Sequence, residues 1–161
     1  MIIVSGIPGS GKGKLGEYLA RQFNNEDLPA ACFKMPNVID CTKFSTPKYI
    51  QSMLAFKQNN SSKLIISVLP SYNHLKKIIF ELKKSAEFSE QFEIRYIITK
   101  VHARNFYMNK NRNVFQFLVE NCMKGVTQAV VFEKSNVSAA EVQIMQRSLE
   151  NANFEANLLP T

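Results

Sequence analysis

Tryptophan is absent from the 161 residues, and aspartate occurs only at Asp27 and Asp40. Without tryptophan, the 12 phenylalanines read as packing material for a core. The shortage of aspartate means few candidates for organising a metal or abstracting a proton. No apolar run approaches the roughly 20 residues that a helical membrane span requires, which leaves no membrane partner to expect. Met1–Val4 is apolar, but it lacks a basic leader and stops at a glycine turn, so it is not a signal peptide. Cysteines are few and scattered, at Cys32, Cys41 and Cys122, with no CxxC and no histidine at ligand spacing. That pattern fits a reducing, cytoplasmic setting better than a disulfide scaffold or a zinc site.

What is present is a chain sized for one compact domain, expected over residues 1–161, with 45% apolar residues and a net charge of +7. The lysines are spread along the chain, as in Lys76–Lys77, Lys83–Lys84 and Lys110–Arg112, with no dense block. Spread charge of this kind serves solubility or neutralises substrate phosphates. A nucleic-acid partner is the weaker expectation, since a nucleic-acid-linked protein has charge as its only sign.

Short β-rich runs alternate with helical patterns. Strands are expected over Met1–Ser5, Ala30–Met35, Lys63–Leu69, Phe92–Thr99 and Gln128–Phe132, with an edge strand in Phe154–Leu159. Helices are expected over Lys14–Phe23, from Thr46 as N-cap with Pro47 at the first helical position, over Ser71–Lys84, and over Asn113–Met123. A last helix starts at Ser138, with Glu141 completing a capping box. Leu15, Tyr18, Leu19 and Phe23 form the expected buried stripe of the first helix. Strands alternating with helices imply βαβ units, hence about five mostly parallel strands with helices on both faces.

The chemical signal is concentrated between the first strand and the first helix. Gly6-Ile7-Pro8-Gly9-Ser10-Gly11-Lys12 fits the GxxxxGK phosphate-binding pattern in the right structural context. Its glycines let the backbone curl so that successive N–H groups face an anion, and the helix start aims its positive end at the same place. Lys12 adds an ammonium between the outer phosphates. Where the general motif ends in a hydroxyl for Mg²⁺, this chain has Gly13.

The string GIPGSGKG closely resembles the adenylate kinase and wider nucleoside monophosphate kinase family, whose loop reads GxPGSGKGT. The match ends at Lys14, where the family has threonine. The resemblance implies a three-layer P-loop kinase-like fold, with its lid reduced or absent, that binds ATP with Mg²⁺ through Gly6, Pro8, Gly9, Ser10, Gly11, Lys12, Gly13 and Lys14. The family's DGFPR stretch corresponds to Ser67-Val68-Leu69-Pro70-Ser71, so its acid becomes Ser67, a candidate for a water-mediated metal contact. Arg104 and Arg112 follow the fourth strand, where the family places arginines that clamp the transferred phosphoryl group. Asp40, after the second strand, is a candidate catalytic acid or the cap of a turn. Two functions are compatible with this set. One is a small ATP-dependent nucleotide kinase. The other is a degenerate nucleotide-binding module, without catalysis, that serves a larger protein assembly.

Overall fold

The computed structural model describes residues 1–35, 44–70, 74–102, 120–122, 125–133, 138–152 and 157–160. Its frame is a sheet of six strands: β1 (Ile2–Ser5), β2 (Ala30–Lys34), β3 (Leu64–Val68), β4 (Tyr96–His102), β5 (Ala129–Glu133) and β6 (Asn157–Pro160). The spatial order is β2-β3-β1-β4-β5-β6, with every neighbouring pair parallel. The helices are α1 (Lys12–Phe23), α2 (Thr46–Gln58), α3 (Leu75–Lys84), α4 (Ala86–Gln91) and α5 (Ala139–Ala152). This is the α/β architecture expected from the alternation, with the tail strand included.

β1 is central because it is apolar along its length and must be covered on both faces. Ile3 joins Phe33, Tyr49, Met53, Ile65, Leu75, Leu82 and Phe88 in the main core, which α2, α3 and α4 cover. On the opposite face Val4, Ile66 and Val68 pack beneath α1 with Ala20, Leu15 and Leu19.

The stripe expected on α1 needs correction. Tyr18 and Phe23 are exposed, and the buried positions are Gly16 and Ala20. A methyl group on Gly16 would stand 2.4 Å from Val68 Cγ2. The helix axis therefore lies close to the sheet at Gly16, with Ala20 buried one turn on and Leu15 and Leu19 packing at the sides of the contact. α1 also starts earlier than expected, at Lys12. At α2, Pro47 occupies the first turn as expected, but Thr46 is not the cap. Its hydroxyl donates to Glu81 of α3, and the capping position falls to Ser45.

β4 begins at Tyr96 rather than Phe92, since the ladder with β1 starts at the Ile2–Tyr96 pair. The short helix α4 was not legible beforehand. Ser85 caps it, accepting from the Phe88 amide at 3.3 Å. The capping box of α5 forms as expected: Glu141 accepts from the Ser138 amide at 2.8 Å, and Ser138 Oγ accepts from the Glu141 amide at 3.3 Å.

Candidate phosphate-binding site

The loop between β1 and α1 curls as its glycines require. Gly6, Gly9 and Gly11 have φ angles of 152°, 73° and 75°, a region that residues with a β-carbon rarely adopt. Space forbids a side chain as well: a β-carbon on Gly6 would lie 2.7 Å from the Lys100 carbonyl oxygen and 2.6 Å from Ser10 Oγ. The Ser10 amide donates to the Ile7 carbonyl at 3.2 Å and closes the turn. Gly11 is the cap residue of α1, and the first helical bond runs from the Leu15 amide to its carbonyl at 3.1 Å. A helix points the amides of its first turn out of its N-terminus, so those of α1 face the Gly6–Gly11 turn.

Two side chains of the loop are in unusual states. Ser10 Oγ is fully buried and has no hydrogen-bond partner among the described residues. A buried hydroxyl left in that state costs about 1–3 kcal/mol, which a bound acceptor would recover. Burial also holds the Lys12 ammonium well below the ordinary lysine value, at about 8. An anion in the loop would stabilise the charged form.

The residues around the loop were only partly foreseen. Gly13 and Lys14 lie in the first turn of α1, and Pro8 is exposed on the loop. Lys100, on β4, donates to Glu133 at the end of β5, Nζ to Oε2 being 2.9 Å. The Lys100 ammonium lies 3.2 Å from the position a β-carbon on Gly11 would take. On the other side, Lys34 at the end of β2 pairs with Glu17 of α1, and its ammonium lies 3.4 Å from the corresponding position on Gly13. Lys34 and Lys100 thus flank the start of α1. Their signal in the sequence is register. Ser5 pairs with Thr99 and Val4 with Val68, which itself pairs with Lys34, so both lysines fall at the carboxyl edge of the sheet, Lys100 on the strand next to β1 and Lys34 one strand further on the other side.

The metal-binding expectation finds little support in the side chains. Ser67 is fully buried and shares a hydrogen bond with the Tyr49 hydroxyl, inside the core. No solvent reaches it there for a metal-bound water. β3 continues into Leu69 and Pro70, so its carboxyl end carries no acid. Among the described residues no group of three or more His, Cys, Asp or Glu is placed to hold a metal. Asp40, Arg104 and Arg112 lie outside the described residues.

The other reactive side chains behave as structure. Burial pushes the Cys122 thiol up to about 12 and raises that of Cys32. His74 precedes α3 and is exposed, while His102 lies 3.9 Å from Glu133. Clefts of about 520 and 770 Å³ open beside Thr46 and Glu81 and beside His74 and Asn121, and residues 6–14 line neither. No described helix is long and apolar enough to cross a membrane.

Comparison with solved structures places this geometry in a known fold. A zinc-bound triple mutant of the YjiA GTPase superposes with a TM-score of 0.68 at 12% identity, covering 99% of this chain and 57% of that one. Zinc-bound YjiA GTPase from E. coli gives 0.64 at 12% identity, covering 98% and 55%. The hydrogenase maturation factor HypB from Archaeoglobus fulgidus gives 0.60 at 15% identity, covering 99% and 77%. The chain therefore spans a little over half the length of the YjiA structures. The fold is that of a P-loop NTPase, and the likeness does not point to the adenylate kinases in particular. No curated protein matches the chain. A family model described as the DAAF9 domain matches residues 1–160, and the chain belongs to that family.

Proposed function

We propose that this domain binds the phosphates of a nucleoside triphosphate in the Gly6–Lys14 loop and acts as a nucleotide-holding module rather than as a phosphotransferase. One observation carries the reading: the positive-φ turn of Gly6, Gly9 and Gly11 delivers the chain into the start of α1 and leaves the buried Ser10 hydroxyl without a partner among the described residues. Such a turn is strained for any other residue type and is accounted for by an anion held against backbone amides. ATP and GTP carry the same triphosphate, so the reading is of the phosphates and both nucleotides are tested.

The kinase-like reading rests on the loop string shared with the nucleoside monophosphate kinases. Phosphoryl transfer needs charge neutralisation at the transferred group and an oriented nucleophile. The expected metal hydroxyl is Gly13, and Ser67 is engaged in the core. These two positions favour the holding role.

The test combines binding with turnover. Titration calorimetry with ATP and with GTP is expected to show saturable binding of at least one of them. Coupled assays for nucleotide release, with and without AMP, CMP, UMP or dTMP as acceptor, are expected to show none above background. Acceptor-dependent turnover abolished by Lys12→Ala would establish the kinase instead. Absence of binding would reduce the loop to a structural turn.

A further inference from the structure

Phosphates held against a P-loop need more positive charge than backbone amides and one lysine provide, and a divalent ion ordinarily supplies it. Here the hydroxyl position is Gly13, the end of β3 has no acid, and Ser67 is spent on Tyr49. Cationic side chains stand around the loop, and the nearest carboxylate, Glu133 at 3.9 Å from the β-carbon position of Gly11, is already paired with one of them. Lys100 stands on the Gly11 side of the α1 start and Lys34 on the Gly13 side, with Lys12 and Lys14 in the first turn itself.

The arrangement is built, not incidental. Lys100 is only 12% exposed, and it is oriented by Glu133, which is 36% exposed. The Lys100 ammonium holds the Glu133 carboxyl below its ordinary range, with His102 and Lys14 adding to the effect. Lys34 is more open and is oriented by Glu17. Each ammonium is thus positioned before a ligand arrives, which lowers the cost of organising it on binding. The unpartnered Ser10 hydroxyl is the independent sign that a ligand belongs in this loop.

We propose that Lys100, positioned by Glu133 and assisted by Lys34, supplies the charge that a divalent metal would otherwise bring, so that this domain binds nucleoside polyphosphates without Mg²⁺. The inference rests on the proposed nucleotide binding and goes further in naming the cation.

The experiment measures ATP and GTP affinity of the whole chain in excess EDTA and again in millimolar Mg²⁺, for wild type, Lys100→Gln, Lys100→Arg and Glu133→Gln. Lys76→Gln, on the exposed side of α3, serves as control. Wild-type affinity is expected to agree in the two buffers within about threefold. Lys100→Gln is expected to lose about tenfold or more in EDTA, Lys100→Arg to recover most of that loss, and Glu133→Gln to bind at least as tightly as wild type. A circular dichroism melt of each variant separates lost charge from lost folding. Should Lys100→Gln unfold, the wild-type comparison of the two buffers still decides the question. Binding that collapses in EDTA would overturn the proposal and leave nucleotide binding standing. Binding in neither buffer would overturn both.

Discussion

Lys100 Nζ lies 2.9 Å from Glu133 Oε2 across the β4–β5 edge, with the same ammonium against Gly11. The pair joins the sheet to the phosphate loop through charge. Substitution of Glu133 by Gln removes the neutralising partner and leaves the cation. In ligand-free protein this is expected to lower stability by ~1 kcal/mol, because Glu133 is partly exposed and the glutamine amide oxygen can still accept from Lys100. Urea denaturation measures it. A loss several times larger would show that the carboxylate is needed for folding.

Tyr49 and Ser67 are expected to be structural partners. Tyr49→Phe leaves the Ser67 hydroxyl buried without its partner, and Ser67→Ala does the reverse. Each is expected to cost ~1–3 kcal/mol. The double variant should cost less than the sum, since removing both groups leaves nothing unsatisfied. Additive losses would mean that the two hydroxyls do not depend on each other.

Gly16→Ala tests how closely α1 lies on the sheet. The added methyl meets Val68 Cγ2 at 2.4 Å and Cys32 Sγ at 3.2 Å, so the helix must move or the strand must shift. A loss of ~1–3 kcal/mol is expected in denaturant titrations. Alanine has the higher helix propensity, so a gain in stability would show that the contact is looser than described.

Lys12 ties ligand binding to pH. Its folded-state value of about 8 lies below the ordinary 10.5 because burial disfavours the charge. In ligand-free protein the unfolded chain keeps this proton across the window from about 8 to 10.5, while the folded chain releases it. Stability from this group therefore rises with pH through that window, and the cost of burying the charge is fully felt below it. Nucleotide affinity runs the opposite way. Phosphate needs the charged form, so affinity is expected to fall as pH passes about 8 and to do so less steeply in Lys12→Ala. Calorimetry across that range checks it, and parallel profiles for the two proteins would remove Lys12 as the titrating group.

The middle of the sheet was legible because its strands are buried on both faces and read as largely apolar runs, as in Leu64–Val68, where Ser67 is the one polar residue. The phosphate loop was legible because its glycines serve a local backbone requirement that spacing along the chain reveals. Tyr18 and Phe23 misled because helical periodicity identifies a stripe without saying how near the helix comes to the sheet. Gly16 and Ala20 take the closest positions, Leu15 and Leu19 flank them, and Tyr18 and Phe23 are left exposed. Thr46 looked like a cap, but its hydroxyl found Glu81, 35 residues away. Lys34, Lys100 and Glu133 are ordinary charged residues in the sequence. They become neighbours of the loop only once strand order and register are fixed.

Anion capture by the Gly6–Lys14 loop is tested most directly by titrating ATP and GTP into wild-type and Lys12→Ala protein under one set of conditions. Losing a charge-assisted contact is worth ~1.5–3 kcal/mol, so affinity for at least one nucleotide is expected to drop by about ten- to a hundredfold while the melting profile is kept. Equal affinities in the two proteins, or no binding to the wild type, would contradict it.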